Sequence, residues 1–345
     1  MLEELYNTCI GKRRTLLVAL LLLLLLMAFA FMTLGLQVSW LRPVEVLSKA
    51  ISGIDNLEPI DKIILLLRMP RIGLALVAGM GLALAGAVMQ CITRNYLVSP
   101  FTLGISSSAA FGASLCIVFG TGALWQSNMA IVGCAFLASC LCGAVVYLLA
   151  GKIGLRPNTI ILVGIALNYF FSALTASIEF FAQEHKLEAV VQWTFGSFNK
   201  ATWENVLLGA VILLLSGFLI KGYRLQLFAI ACNDDETAQS LGIQVGRVRA
   251  VCGLAAVLLT AAIISFTGVI GFVGLIAPHM ARLLHGINPE TYLPLSALLG
   301  AVLLLLADTI GKLILYPVNI PVGIVISFIG VPLFIHLIVN KNNQA

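Results

Sequence analysis

The stretch LLVALLLLLLLMAFAFMTLGL, residues 16–36, holds 21 consecutive positions without a charged side chain. A helix of about 20 apolar residues spans the hydrocarbon core of a bilayer. The same solid apolar pattern returns in LLGAVLLLLA at 298–307. Over its 345 residues the chain is 60% hydrophobic and 10% charged, whereas soluble domains carry about 25% charged residues. So few charges cannot cover a surface that faces water, and the sequence therefore predicts an integral membrane protein.

The fold class follows from the same apolar runs. Strands of a membrane barrel alternate apolar and polar residues over about ten positions, but the runs here are unbroken, so helices are the remaining way to cross lipid. We predict an all-α integral membrane protein with one transmembrane domain over residues 1–345 and about ten spans. The expected spans are 15–36, 72–91, 101–119, 128–150, 158–181, 203–221, 249–267, 270–286, 292–310 and 322–340.

The distribution of Lys and Arg predicts the orientation in the membrane. If the N-terminus is cytoplasmic, twelve Lys and Arg residues lie in or beside inner loops and eight lie outside. Short cytoplasmic loops carry the excess of positive charge, so both termini are predicted to be cytoplasmic. This bias also accounts for the net charge of +5. Since no Lys/Arg cluster is interleaved with aromatic residues, the sequence does not indicate nucleic-acid binding.

A polar cytoplasmic segment at about 222–248 separates the sixth and seventh spans. Within it, Asn233-Asp234-Asp235-Glu236 precedes an Ala-containing stretch, which is typical of a helix start. Gly242 follows at a position that favours a helix end. We therefore predict a short cytoplasmic helix over 234–242, with Asp234, Asp235, Glu236, Ala238, Leu241 and Gly242 as its functional candidates.

Motifs for catalysis and cofactor binding do not stand out in the sequence. Gly11-Lys12, Gly151-Lys152 and Gly311-Lys312 each lack the flanking residues of a phosphate-binding loop, so any ATP is expected to be hydrolysed by another chain. No metal-ligand spacing, hydrolytic constellation or cofactor site is predicted. Asp308 and Lys312 are four residues apart, which predicts a salt bridge on one helix face.

Small residues are concentrated at 78–86, where the sequence reads AGMGLALAG. Small side chains allow membrane helices to approach one another closely. The stretch lacks the third glycine of a dinucleotide-binding fingerprint and follows no predicted strand. We therefore interpret it as a helix-packing surface.

Taken together, several motifs resemble the FecCD-type permeases of bacterial importers for iron-siderophores, haem and cobalamin. The resemblance covers about residues 60–340 in order. Two positions depart from the family pattern: Tyr96 stands where Pro is usual, and Lys312 replaces a frequent Arg. The motifs are Arg68-Met69-Pro70-Arg71, Gly81–Gln90, Thr93–Leu97, Leu103–Ser106, Gln192–Trp203, Gly268–Arg282, Ala307–Lys312 and Pro321–Gly323.

The resemblance implies a ten-helix permease in the cytoplasmic (inner) membrane, without enzymatic activity of its own. It implies a second permease subunit, identical or different, two cytoplasmic ATP-binding subunits and an extracytoplasmic substrate-binding protein. The cargo would be a ferric siderophore or a related metal chelate, with haem, cobalamin and small oxyanions left open. An ion-coupled secondary transporter and a membrane enzyme acting on lipid-linked substrates are the alternatives.

Three groups of residues receive roles in this interpretation. The predicted cytoplasmic helix would dock in a groove of the ATPase subunit. By resemblance, Asn95 and Leu97 would narrow the cytoplasmic end of the pathway, with Asn158 facing them. The candidate docking site for the binding protein is a basic cluster at the outer face, formed by Arg68, Arg71 and Lys312.

Overall fold

The fold is described from a computed structural model of the chain. For 333, 334 and 336–342 the description covers the backbone alone. The described residues are 21–23, 25, 58–121, 127–286, 288, 290–315 and 318–342. Apart from four residues, the predicted first span at 15–36 lies outside this set, as does the C-terminal end, so the count of ten spans and the side of both termini remain predictions.

Within the described residues the chain folds entirely into helices joined by short loops, which confirms the predicted fold class. The helices are α1 (Pro59–Thr93), α2 (Ile105–Phe119), α3 (Asn128–Lys152), α4 (Pro157–Phe181), α5 (Glu184–Thr194), α6 (Trp203–Gly222), α7 (Arg224–Cys232), α8 (Asp235–Ser240), α9 (Val245–Thr267), α10 (Val273–His285), α11 (Tyr292–Leu313) and α12 (Val322–Asn342).

Six of these helices, α1, α3, α4, α6, α9 and α11, are long and apolar enough to cross a membrane within the described part of the chain. Helix α10 coincides with the predicted span at 270–286 but has 13 residues, or about 20 Å, which is shorter than a hydrocarbon core of about 30 Å. Helix α5 was not predicted, because its mixture of charged and apolar residues does not form an apolar run.

Helix α1 is the central element, and it packs against α6, α9, α10 and α11. It begins with Pro59 and passes through a π-helical turn, Ile64–Arg68, just before Pro70. Because Pro70 has no backbone N–H to continue the regular ladder, a local change of helical geometry is expected there. From Ile72 to Thr93 nearly every side chain is buried.

The small residues of α1 make close backbone contacts, which confirms the packing interpretation of 78–86. Gly79 lies against the backbone of Gly300 in α11, and Gly86 lies against the backbone of Gly274 in α10. A side chain at any of these glycines would meet backbone rather than a movable side chain. The sequence of α1 therefore fixes the positions of both neighbouring helices.

Candidate functional site

A buried carboxylate marks one end of the helix bundle, which we call the Asp308 end. The Asp308 side chain is fully buried in α11. Arg71, near the start of α1, donates from Nε and Nη2 to its Oδ1 at 2.9 and 2.7 Å. Lys312 Nζ lies 2.7 Å from Oδ2. The remaining terminal nitrogen of Arg71 donates to Asn199 Oδ1 at 2.7 Å. Two cations therefore bind the Asp308 carboxylate, and the Asn199 amide oxygen binds the remaining end of Arg71.

The Asp308 cluster bears on two predictions made from the sequence. The salt bridge between Asp308 and Lys312 is confirmed. Arg71 and Lys312, predicted to form one basic cluster, do lie together, and Arg68 is close enough to act electrostatically on Lys312. However, Arg71 and Lys312 are largely buried, and both form salt bridges with Asp308. Docking of a binding protein at this cluster remains a prediction.

A second charged cluster lies at the opposite end of α1, which we call the Asp235 end. Arg249 of α9 is 1% exposed and donates from Nη1 and Nη2 to the two carboxylate oxygens of Asp235 at 2.6 and 2.7 Å. Arg94 donates to the same Oδ1 at 2.6 Å and to the Asn233 carbonyl at 2.8 Å. Bidentate arginine–carboxylate pairs fix geometry as well as distance. Helix α8 is therefore held in a defined position.

Arg249 also reaches two backbone carbonyls, so it joins three segments of the chain. Its Nε donates to Ile92 O at 3.0 Å, and its Nη1 donates to Leu155 O at 3.4 Å. Ile92 lies in the last turn of α1, and Leu155 lies in the loop before α4. A displacement of α8 would consequently pull on the end of α1 and on that loop at the same time.

The protonation of Asp235 follows from these contacts. The hydrogen bonds from Arg249 hold the pKa of the Asp235 carboxyl below its ordinary value, and the positive charges of Arg249, Arg94 and Arg156 act in the same direction against partial burial. At neutral pH the group is ionised, so the cluster carries its full attraction.

Helix α8 matches the short cytoplasmic helix expected over 234–242, and its boundaries follow from its capping residues. Asp234 Oδ1 accepts a hydrogen bond from Thr237 N at 3.0 Å, which makes Asp234 the N-cap. Gly242 adopts a left-handed φ of 79° just past the end, where glycine is favoured. Ala238 is buried toward the bundle, whereas Glu236 is exposed and Leu241 is 64% exposed. The face available to a partner is therefore the one with Glu236 and Leu241.

The predicted gate residues follow directly after α1. Arg94 ends that helix with a left-handed φ of 51°, and Asn95 Oδ1 then accepts a hydrogen bond from Leu97 N at 2.9 Å. This local bond holds the loop in a tight turn. Leu97 is half-exposed and Asn158 is exposed in the first turn of α4. Both side chains are therefore accessible, and their role as a gate stays a prediction.

Comparison with known proteins now identifies the family. The sequence profile of the FecCD transport family matches residues 20–340. The chain belongs to this family. A Methanocaldococcus jannaschii protein assigned as an ABC transporter permease is 43% identical over 289 residues, which are 81% of this chain and 82% of that protein. The iron(3+)-hydroxamate import system permease FhuG of Bacillus subtilis is 38% identical over 283 residues, 80% of this chain and 83% of its own.

Two further comparisons agree with this family. The Fe(3+) dicitrate transport system permease FecC of Escherichia coli is 37% identical over 281 residues, 79% of this chain and 81% of its own. A solved transporter assigned to the metal-chelate type of ABC transporters, in an inward-facing conformation, superposes with a TM-score of 0.80 at 33% identity, covering 94% of this chain and 99% of that one. The chain is thus a multi-pass, non-enzymatic ABC permease subunit of the cytoplasmic membrane.

The structure gives a physical reason for one departure from the FecCD pattern. The ring of Tyr96, which stands where the family usually has Pro, lies under the Arg282 guanidinium, with Cζ 3.4 Å from the ring centroid. The Tyr292 ring lies 5.9 Å away on the same cation. A cation over an aromatic face is stabilised by the ring quadrupole. Tyr96 therefore attaches the loop after α1 to α10, a contact that Pro could not make.

Three FecCD motifs that are far apart in the sequence meet in space at the Asp308 end. Ser197 N donates to Thr267 O at 2.7 Å, and Gly323 N donates to Gly196 O at 3.3 Å. Gly196 and Gly268 have left-handed φ values of 66° and 73° and contact neighbouring backbone. These motifs therefore encode one packed junction between the segment after α5, the end of α9 and the start of α12.

Sequence reasoning did not predict that Arg94 and Arg249 both bind Asp235. The signal for Arg249 was present, because Val245 and Val248 extend the apolar pattern of α9 in the N-terminal direction and place the arginine inside the helix. An ionisable residue within a span indicates a functional or paired group. Within the described residues, no group of three or more His, Cys, Asp or Glu side chains is placed to hold a metal ion.

Proposed function

We propose that this chain is the membrane-spanning subunit of a binding-protein-dependent ABC importer that carries a ferric siderophore or a related metal chelate. The relatives named above are permeases for Fe(3+)-hydroxamate and Fe(3+)-dicitrate, which supports this cargo class. Its partners would be a second permease subunit, two ATP-binding subunits and an extracytoplasmic binding protein. The observation that carries the proposal is the attachment of α8 to the end of α1.

The geometry of α8 suits the transmission of force from an ATPase subunit. A helix of six residues has little stability of its own in water, so it must be held by tertiary contacts. Asp235 supplies them through Arg94 and Arg249, while Glu236 and Leu241 face outward. A partner that moves this exposed face would move the ends of α1 and α9 with it.

The alternative of an ion-coupled carrier requires a carboxylate that can bind and release a cation or proton within the membrane. Asp308 is the buried carboxylate that sequence analysis singled out, and it is paired with both Arg71 and Lys312. Because both carboxylate oxygens are already engaged by these two side chains, Asp308 is not free to coordinate a transported ion, and an importer driven by ATP is favoured.

The experiment that tests the coupling role uses the complete transporter in proteoliposomes with its binding protein. Gly242→Pro should end ATP-driven uptake of a ferric hydroxamate while leaving membrane insertion intact, because the left-handed φ and the N–H to Gln239 O are both lost. Gly286→Pro is the matched control, since Gly286 also has a left-handed φ and an N–H bonded to a carbonyl of the preceding helix. Normal uptake by Gly242→Pro would contradict the proposal.

The cargo class is tested separately in the same proteoliposomes. Ferric hydroxamate, ferric citrate and cobalamin are each supplied with the binding protein, and the uptake of each is measured against ATP hydrolysed. We expect an iron chelate to be transported in preference to cobalamin. Transport of cobalamin alone would refute the iron-chelate cargo and leave the ABC importer assignment intact.

We also propose that Asn95 and Leu97 form part of the inner gate. Asn95→Cys, placed in both copies of a homodimeric transporter with exposed Cys232 replaced by Ser, should form a disulfide under a mild oxidant in at least one nucleotide state. Lys152→Cys is the control, since Lys152 is exposed at the end of α3. If Asn95→Cys stays uncrosslinked in every nucleotide condition, the loop does not close the pathway.

A further inference from the structure

A cavity of about 470 Å³ lies between α1, α6 and α11 toward the Asp235 end of the bundle. Its inner wall is apolar, with Leu84, Gly217, Leu293 and Ala297 among the residues that line it. Leu84 lies nine residues before Thr93, the last residue of α1, and therefore about 14 Å from that end of the helix. The cavity thus reaches from the end of the bundle well into the hydrocarbon layer.

The rim of the cavity is charged, in contrast to its wall. Lys221 and Arg224 lie there beside Glu290. Arg224 Nη2 is 3.9 Å from Glu290 Oε1, a loose contact between partly exposed side chains. Arg224 Nε is buried without a hydrogen-bond partner, and Lys221 forms no ion pair with any other described residue. The rim therefore has a net charge of +1, and it contains one hydrogen-bond donor without a partner.

The cavity opens as a groove beside an apolar surface of α6 that is expected to face lipid. Helix α6 exposes an apolar surface on the side away from α1 and α9, and Phe218, next to Gly217, is 82% exposed. Large apolar side chains exposed along a membrane-spanning helix are expected to contact acyl chains. A molecule that fills the groove must consequently be apolar along most of its length and anionic at one end.

We propose that the groove binds one anionic phospholipid, with an acyl chain against Leu84 and Gly217 and the phosphate between Lys221 and Arg224. Basic pockets between membrane helices on the cytoplasmic side bind anionic headgroups. The exposed part of the Arg224 guanidinium can bind phosphate through charge-assisted hydrogen bonds. The assignment to the inner leaflet rests on the proposed function, which makes the Asp235 end cytoplasmic.

The bound lipid would stabilise the start of the segment that carries α8. Lys221 belongs to the last turn of α6 and Arg224 to the first turn of α7. A phosphate held by both would tie these two helices together across their junction at Tyr223. Helix α7 is followed within three residues by α8, so the lipid would limit the movement of α8 relative to the membrane.

The test measures lipid retention by the purified full-length permease in detergent, using native mass spectrometry. Delipidated protein receives equal amounts of phosphatidylglycerol and phosphatidylcholine with identical acyl chains. The wild type should retain phosphatidylglycerol in preference. Lys221→Gln and Arg224→Gln should each lower that preference about fivefold. Lys152→Gln removes an exposed cation at the end of α3, outside the cavity, and should leave the preference unchanged.

A second variant tests the apolar part of the groove. A Cβ added at Gly217 would meet only the Leu84 side chain, at an ordinary distance of 3.8 Å, so Gly217→Leu should fold and fill the space. It should lower the retention of both lipids, whereas the charge variants affect phosphatidylglycerol alone.

Several outcomes would overturn the proposal. These are equal retention of the two lipids by the wild type, an equal loss in Lys152→Gln, displacement of the lipid by inorganic phosphate, and exclusion of lipid by a second copy of the chain in the native dimer. Because lipid retention is measured without transport, its failure would not affect the importer assignment, and a failed uptake assay would not affect the lipid site.

Discussion

At the scale of single residues, Asp308 shows how a buried charge is tolerated in this fold. Its carboxylate receives hydrogen bonds from Arg71 and a salt bridge from Lys312. Removal of one member of a buried ion pair leaves an uncompensated charge and typically costs about 3–5 kcal/mol. Asp308→Asn should therefore lower the free energy of unfolding by about 3 kcal/mol, measured by SDS titration of the purified permease.

The control for Asp308→Asn is Glu290→Gln, which removes a partly exposed carboxylate 3.9 Å from Arg224. Exposed pairs contribute about 1 kcal/mol or less, so this variant should unfold almost as the wild type does. Equal effects of the two substitutions would mean that the Asp308 cluster is not a structural anchor.

Asp235 leads to a prediction about coupling and pH. Asp235→Asn removes the charge that Arg94 and Arg249 share, and transport per ATP should fall about tenfold, as expected for lost charge-assisted hydrogen bonds. Asp234→Asn is the matched control, because Asn caps a helix as well as Asp. Both are measured in proteoliposomes as cargo imported against ATP hydrolysed. If the two variants behave alike, the Asp235 cluster does not transmit force.

The pH dependence of the Asp235 cluster has a defined sign. Its pKa in the folded protein is lowered by the Arg249 hydrogen bonds, so the contact stabilises the fold above the ordinary carboxyl pKa of about 3.9. That stabilisation is lost only as pH falls through the lower, folded-state value. The ratio of wild-type to Asp235→Asn coupling should therefore be constant between about pH 5 and about pH 8. A steep change within this window would indicate that another group controls coupling.

At the scale of helices, the close contact between α1 and α11 can be tested with two similar substitutions. A Cβ at Gly79 would lie 2.7 Å from the Ala301 Cα, whereas a Cβ at Gly133 in α3 would meet nothing within 4 Å. Both changes to Ala gain about 1 kcal/mol of helix propensity, so their difference reports packing. Gly79→Ala should be less stable than Gly133→Ala by about 1–3 kcal/mol in SDS titration, and equal stability would contradict this close approach.

The helices also show what a single sequence can and cannot predict. The apolar runs were sufficient to place α1, α3, α4, α6, α9 and α11, because length and hydropathy alone decide whether a helix crosses lipid. The capping residues Asp234 and Gly242 predicted α8 because capping is a local interaction. Arg71 and Asp308 are 237 residues apart, and no local pattern connects them. Their pairing depends on how α1 packs against α11, which only the tertiary structure provides.

At the scale of the whole molecule, α1 connects the two charged clusters. Arg71 and Ile92 are 21 residues apart in one helix, or about 31 Å, close to the thickness of a hydrocarbon core. Asp308 holds Arg71 at one end, and Arg249 binds the Ile92 carbonyl at the other. Since the middle of α1 lies directly against the backbones of α10 and α11, α1 is expected to move as a rigid body between the Asp308 end and the Asp235 end.

Docking of a binding protein is predicted at the Asp308 end. Arg68, Arg71 and Lys312 supply three positive charges against the one negative charge of Asp308, and Arg71 and Lys312 bind that carboxylate. The cluster therefore keeps an excess of positive charge, which would attract a binding protein that presents carboxylates. Arg68→Glu should therefore weaken association at low salt, where exposed charges interact most strongly. Arg71→Glu should weaken association and also lower the free energy of unfolding in SDS, since it places a second carboxylate beside Asp308. Association is measured with the purified binding protein and the permease in nanodiscs, together with the ATPase activity that the loaded binding protein stimulates.

A compensating Glu→Arg change on the partner should restore part of the association and part of the ATPase activity. If Arg68→Glu binds as the wild type does at low salt, these cations anchor the helix ends at the lipid headgroups, and docking must use another surface.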